Sequence, residues 1–98
     1  MSLVNDVQHD DLNSLRQGIN KIDEEIIKLL AERFALTEHV GIYKKKHKLG
    51  ALDPKREQEI SAMREKWCEE NGLDKEKAHI IFECIIEVVR QRHREIAK

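Results

Sequence analysis

Apolar side chains recur at three- and four-residue steps from Leu12 through Leu15, Ile19, Ile22, Ile26, Leu29, Leu30 and Leu36 to Val40. That spacing places them on one stripe of an α-helix and predicts a single helix from about Asp11 to His47. Gly18 and Gly41 fall inside the pattern, but each costs only about 1 kcal/mol relative to Ala, too little to break so long a helix. At ~1.5 Å per residue the rod is roughly 50 Å long, against ~30 Å for the diameter of a small domain. The chain has 98 residues, so about half of it remains to cover that rod. It cannot. The uncovered part of the stripe calls for a second chain, and the expected partner is another copy.

Two shorter helices follow. The first helix should end near Lys48-Leu49-Gly50, where basic residues suit the negative end of the helix dipole. Asp53-Pro54 is an N-cap followed by proline at the first helical position, and Asn71-Gly72 is a stop. Between them Ile60, Met63 and Trp67 form an apolar face. Asp74 caps the third helix, which carries Ile81, Phe82, Ile85, Ile86, Val88, Val89 and Ile96. The fold class is all-α, with one long helix, two shorter ones and pairing through the long one. Residues 1–10 read as a disordered lead-in and 11–98 as one helical domain.

Composition narrows the function. Lys plus Arg (18) nearly cancel Asp plus Glu (19), leaving a net charge of -1, which argues against a nucleic-acid binder. The basic run Lys44–Lys48 reads as a solvated helix end. No apolar run approaches the ~20 residues of a membrane span, and the polar, acidic start is not a secretory signal. Cys68 and Cys84 are too few for a disulfide scaffold and read as reduced, half-buried helix residues of a cytoplasmic protein. The five histidines show no paired metal-ligand spacing. No metal, cofactor or activated nucleophile is expected.

The charges on the long helix are the informative feature. Ile22, Ile26, Arg33, Val40 and Lys44 share one stripe, so two cations about 16 Å apart interrupt an apolar face. Neither is buried cheaply without an anion. Either both snorkel from the edge of the stripe toward neighbouring carboxylates, or they form an interior anion site with a planar fork and a mobile point charge. Arg16 points about 100° away from Arg33 and can join such a site only from a second chain. Asp53, Arg56 and Glu57 make a second cluster at a helix start, either an ordinary cap and first turn or part of an anion-binding environment.

Taken in order, Leu15-Arg16…Ile19…Ile22-Asp23…Ile26…Leu29-Leu30-Ala31-Glu32-Arg33, Val40-Gly41-x-x-Lys44, Asp53-x-x-Arg56-Glu57 and Phe82-x-x-Ile85-Ile86 resemble the all-helical chorismate mutases. The resemblance covers roughly residues 12–96 and implies an intertwined homodimer that rearranges chorismate to prephenate in aromatic amino-acid biosynthesis. The reaction is an intramolecular Claisen step on a dianion. Catalysis therefore needs orientation, cations for two carboxylates and a donor for the ether oxygen on which negative charge grows. By resemblance, Arg33 binds a carboxylate and Arg16 enters from the partner chain. Lys44 contacts a carboxylate and the ether oxygen, while Asp53 and Glu57 orient the ring hydroxyl and Arg56 supports the site electrostatically.

Three positions depart from the family pattern. Val89 and His93 stand where helix 3 of the family usually has Ser and then Gln or Glu, and Leu52 stands where an Arg often precedes the loop Asp. The resemblance places His93 where a donor meets the breaking ether oxygen; the stripe alone makes it a core histidine bonded to a neighbour. The departures keep other functions in view. An isochorismate pyruvate lyase and an amino-chorismate mutase use the same scaffold, and a non-catalytic helical dimer needs no turnover at all.

Overall fold

The computed structural model of the chain describes residues 11–50 and 53–98. Three helices follow one another: α1 (Leu12–Lys46), α2 (Pro54–Asn71) and α3 (Lys75–Ala97). The proposed lead-in at 1–10 and Leu52 lie outside the described residues.

Local chemistry sets each boundary. The Asp11 carboxylate accepts from the Asn13 N–H at 3.0 Å and the Ser14 hydroxyl at 3.2 Å, so α1 opens one residue after it. The Asp53 side chain caps α2 by accepting from the Arg56 N–H at 3.2 Å, with Pro54 in the first turn, where its missing N–H is not needed. Asp74 does the same for α3 through the Glu76 N–H at 2.9 Å.

α1 and α2 stop by one device. Gly72 has a left-handed φ of 65°, and the Leu73 N–H returns to the Cys68 carbonyl at 2.9 Å. At the end of α1 the Leu49 N–H returns to the Lys44 carbonyl at 2.8 Å. Both are the closing bond of a Schellman turn. In α1, however, the left-handed residue is Lys48, with φ 54°, rather than the nearby Gly50. A side chain there costs about 1–2 kcal/mol, and the capping bonds offset it.

The contacts divide the chain into two units, Met1–Leu36 and Thr37–Lys98, and α1 crosses the boundary. The described part of the first unit is helix alone. It has no packed core: Leu12 is 61% exposed, Ile27 68% and Leu36 66%. The second unit holds the end of α1 with α2 and α3. α2 and α3 pack on each other, burying Cys68 and Ala78, and the Arg64 guanidinium lies 4.6 Å above the Phe82 ring. The apolar face expected on α2 is split. Ile60 is half-buried, whereas Met63 and Trp67 are exposed, as are Ile80, Ile81 and Val88 on α3. The two free cysteines divide likewise, Cys68 buried and Cys84 exposed.

Candidate active site

Within the second unit, the last three turns of α1 meet the last turns of α3. The closest approach is at Gly41. A Cβ there would lie 2.7 Å from His93 Cδ2 and 2.9 Å from Ile96 Cδ1, closer than such atoms come. The glycine that weakens α1 by propensity is what admits the imidazole. His93 Nε2 is 2.7 Å from the Thr37 carbonyl oxygen. A carbonyl only accepts, so Nε2 carries the proton and donates. In the neutral ring Nδ1 is then a bare acceptor; only the imidazolium has a proton at both nitrogens.

One residue to the side, Arg92 closes the same junction. Its Nε donates to Glu38 Oε2 at 2.9 Å and its Nη2 to Oε1 at 2.6 Å, while Nη1 reaches Glu95 at 3.1 Å. The hydrogen bonds from Arg92 hold the Glu38 carboxyl below the usual carboxylate range, against a smaller opposing effect of desolvation. Both carboxylates raise the Arg92 guanidinium in turn. A depressed carboxyl favours the folded state at pH values above its unfolded pKa of about 4.3, and that contribution fades as pH falls through the folded value. The junction is therefore intact throughout the neutral range.

Lys44 is half-buried. It lies three residues beyond Gly41 and seven beyond Thr37, which on a helix is the face that receives His93. Val89, four residues before His93 and also half-buried, shares the inner face of α3. Asp53, Arg56 and Glu57 occupy the cap and first turn of α2 and are exposed, with one Asp53 oxygen engaged in capping.

The first unit holds the other two expected residues. Arg16 is exposed and Arg33 half-buried. Arg33 Nη1 is shielded from solvent and meets no acceptor among the described residues. A charged donor in that state is strongly unfavourable until an anion arrives.

Sequence reasoning did not find Thr37, Glu38 or Arg92. Thr37 acts through its backbone, and Glu38 pairs with a residue 54 positions away, so neither leaves a periodic signal. Gly41 was visible as a glycine inside a helix, a signal of close approach. A cavity of about 260 Å³ between α2 and α3 is lined by Arg64, Cys68, His79 and Phe82 among others and holds none of the expected site residues. Among the described residues no three His, Cys, Asp or Glu side chains gather as a metal ion would need.

Comparison with known proteins bears on this arrangement. The family model described as chorismate mutase type II matches residues 15–94. A chorismate mutase of Methanocaldococcus jannaschii is 36% identical over 76 residues, 78% of this chain and 77% of that protein. A bifunctional chorismate mutase/prephenate dehydratase of Aquifex aeolicus is 45% identical over 51 residues, 52% of this chain but 14% of the relative. The T-protein of Haemophilus influenzae is 36% identical over 84 residues, 86% of this chain and 20% of the relative, so in both cases the match spans a small part of a longer protein. Three helices, the ordered cation and carboxylate positions and a family match over nearly all the described residues agree: the chain belongs to the type II chorismate mutase family, an all-helical family of isomerases, and chorismate mutase activity is what these likenesses support.

Proposed function

We propose that two copies of this chain form a homodimer that rearranges chorismate to prephenate in sites built from both copies. The observation that carries the reading is Arg33. Its Nη1, shielded from solvent and without an acceptor among the described residues, is a preformed donor for a carboxylate, and the substrate of this reaction brings two. The family resemblance, rather than a distance, joins Arg33 to Lys44, to Asp53, Arg56 and Glu57, to Val89 and His93, and to Arg16 of a second copy.

The apolar side chains of α1 support the dimer. Leu12, Ile19, Ile26, Ile27, Leu29 and Leu36 are all about half exposed or more. Full burial of such a side chain contributes about 1.5–3 kcal/mol. Several of them together are of the size needed to offset the roughly 4–15 kcal/mol cost of association. A helix of this length also gains most of its stability from packing rather than propensity.

In the site, Arg33 grips one carboxylate with its fork. Lys44 neutralises the other and follows the negative charge onto the ether oxygen as the C–O bond breaks. Asp53 and Glu57 accept from the ring hydroxyl, and Arg56 adds positive potential. Val89 supplies an apolar wall where the family usually has a hydroxyl. No step needs a nucleophile, a metal or a cofactor, because the bonds that form and break belong to one molecule held in a reactive fold. Among the described residues no helix is long and apolar enough to cross a membrane, and a cytoplasmic setting is part of the same reading.

The decisive experiment incubates the purified protein separately with chorismate and with isochorismate and identifies the products. Prephenate from chorismate is expected. Salicylate and pyruvate from isochorismate, with chorismate unchanged, would make the chain a lyase on this scaffold; no turnover of either would make it a binding module.

His93 gives a second expected result. With Nε2 bonded to Thr37, donation to the ether oxygen falls to Nδ1, which carries a proton only in the imidazolium. Accordingly His93→Ala, which removes the ring, lowers kcat by about 10²-fold, the order of losing one preorganised donor. His93→Gln restores an amide donor and keeps most of the activity. Near-normal kcat in His93→Ala would leave His93 a core residue only.

A further inference from the structure

The junction of α1 with α3 carries more polar geometry than a helix crossing needs. Arg92 grips both oxygens of Glu38 at 2.9 and 2.6 Å and spends its remaining nitrogen on Glu95. Arg92 and Glu38 are the immediate chain neighbours of His93 and Thr37, whose own bond is 2.7 Å. Two adjacent pairs therefore cross between the same two helices in the same register. The ring itself rests on Gly41 with no side chain to steady it from below.

We propose that Glu38 and Arg92 are positioning residues for His93: the bidentate pair fixes the rotation of α3 against α1 so that the imidazole Nε2–H stays on the Thr37 carbonyl and Nδ1 keeps one direction. The proposal deepens the chorismate mutase reading and rests on it for its effect on rate.

The physical argument is one of geometry against strength. Both members of the pair are substantially exposed, with side-chain exposures of 51% and 35%, and exposed ion pairs contribute little to folding. A planar guanidinium facing a carboxylate with two parallel bonds, by contrast, sets direction as well as distance. The histidine needs that direction. Its anchor is a single hydrogen bond to a backbone carbonyl, which a small rotation of α3 would lengthen and break. Once broken, the ring can turn away from Gly41 and Nδ1 loses its direction. Glu95, on the same helix as Arg92, holds the guanidinium from its own side and cannot replace Glu38, because a pair within α3 does not fix α3 against α1. Lys in place of Arg92 would keep the charge and lose the fork.

The test combines a readout of the Nε2–H anchor with a double-mutant cycle. Nitrogen-15 NMR of the full chain should show a protonated, slowly exchanging Nε2 on His93 in the unaltered protein. In Glu38→Gln and in Arg92→Lys that proton should exchange rapidly, with the thermal midpoint little changed. In turnover of chorismate, Glu38→Gln should lower kcat roughly tenfold, the scale of a modest misplacement of a catalytic group, with KM within about twofold. In a His93→Ala background the same substitution should change kcat by less than about twofold. Should Glu38→Gln fail to fold, Arg92→Lys carries both measurements. Persistence of the slow Nε2 proton in the variants, or an equal loss of kcat with and without His93, would overturn the assignment. A chain that holds the Nε2 proton through Glu38 but does not convert chorismate would sustain the positioning role and refute the functional reading instead.

Discussion

Lys44→Ala lowers kcat for chorismate by about 10²–10³ while the protein stays folded and dimeric. The size follows from what the ammonium does. It sits half-buried on the face of α1 that meets α3, where water screens charge poorly. A preorganised donor or cation aimed at developing negative charge in such a place is worth this much in the transition state, and less in the ground state. The loss should therefore appear mainly in kcat. Arg33→Ala, which removes a carboxylate grip present in both states, should raise KM as well. A cation that only snorkels from an apolar stripe behaves differently: its removal leaves turnover nearly intact and shifts stability slightly. Steady-state kinetics with sedimentation of the same samples decides between the two. Near-normal kcat in a dimeric Lys44→Ala protein would return both cations to the snorkelling account.

Mixing two inactive variants, Arg16→Ala and Lys44→Ala, restores activity to about a quarter of the unaltered level. In the symmetric dimer proposed above, each site would take Lys44 from one copy and Arg16 from the other. Random exchange makes about half of the dimers mixed, and each mixed dimer has one site with both groups and one with neither. Restoration therefore has a ceiling, approached only after the subunits have exchanged. The experiment needs exchange shown independently, for example by energy transfer between labelled copies. If exchange is complete and activity stays at the level of the parents, Arg16 does not serve a shared site. The motivation is geometric: Arg16 lies a quarter turn away from the Arg33 stripe, and it is exposed.

The boundaries of all three helices were readable before any coordinates. Asp11, Asp53 and Asp74 each cap with their own carboxylates, and Gly72 takes a left-handed turn that suits its lack of a side chain. These are interactions among residues at most five apart, so the chain carries them wherever it goes. The stripe from Leu12 to Val40 likewise announced a helix too long for its own chain to cover. The two cations on the apolar face of α1 were visible as well, as a choice between side chains that snorkel and an interior anion site.

Tertiary structure decided the rest. Nothing in the order of residues says that Glu38 meets Arg92, or that the Thr37 carbonyl takes the Nε2 proton of His93. Those contacts depend on how α3 lies against α1, over separations that leave no periodicity. The same is true of Met63 and Trp67, which share a helical face with Ile60 yet stand exposed. Periodicity tells which side chains share a face; only packing tells which part of the face finds a partner. Lys48 shows the converse at a helix end, where the closing bond from Leu49 holds a lysine in the left-handed conformation two residues before an available glycine. A histidine in an apolar stripe has two chemistries, and the atom bonded to its Nε2 selects the one Nδ1 can offer.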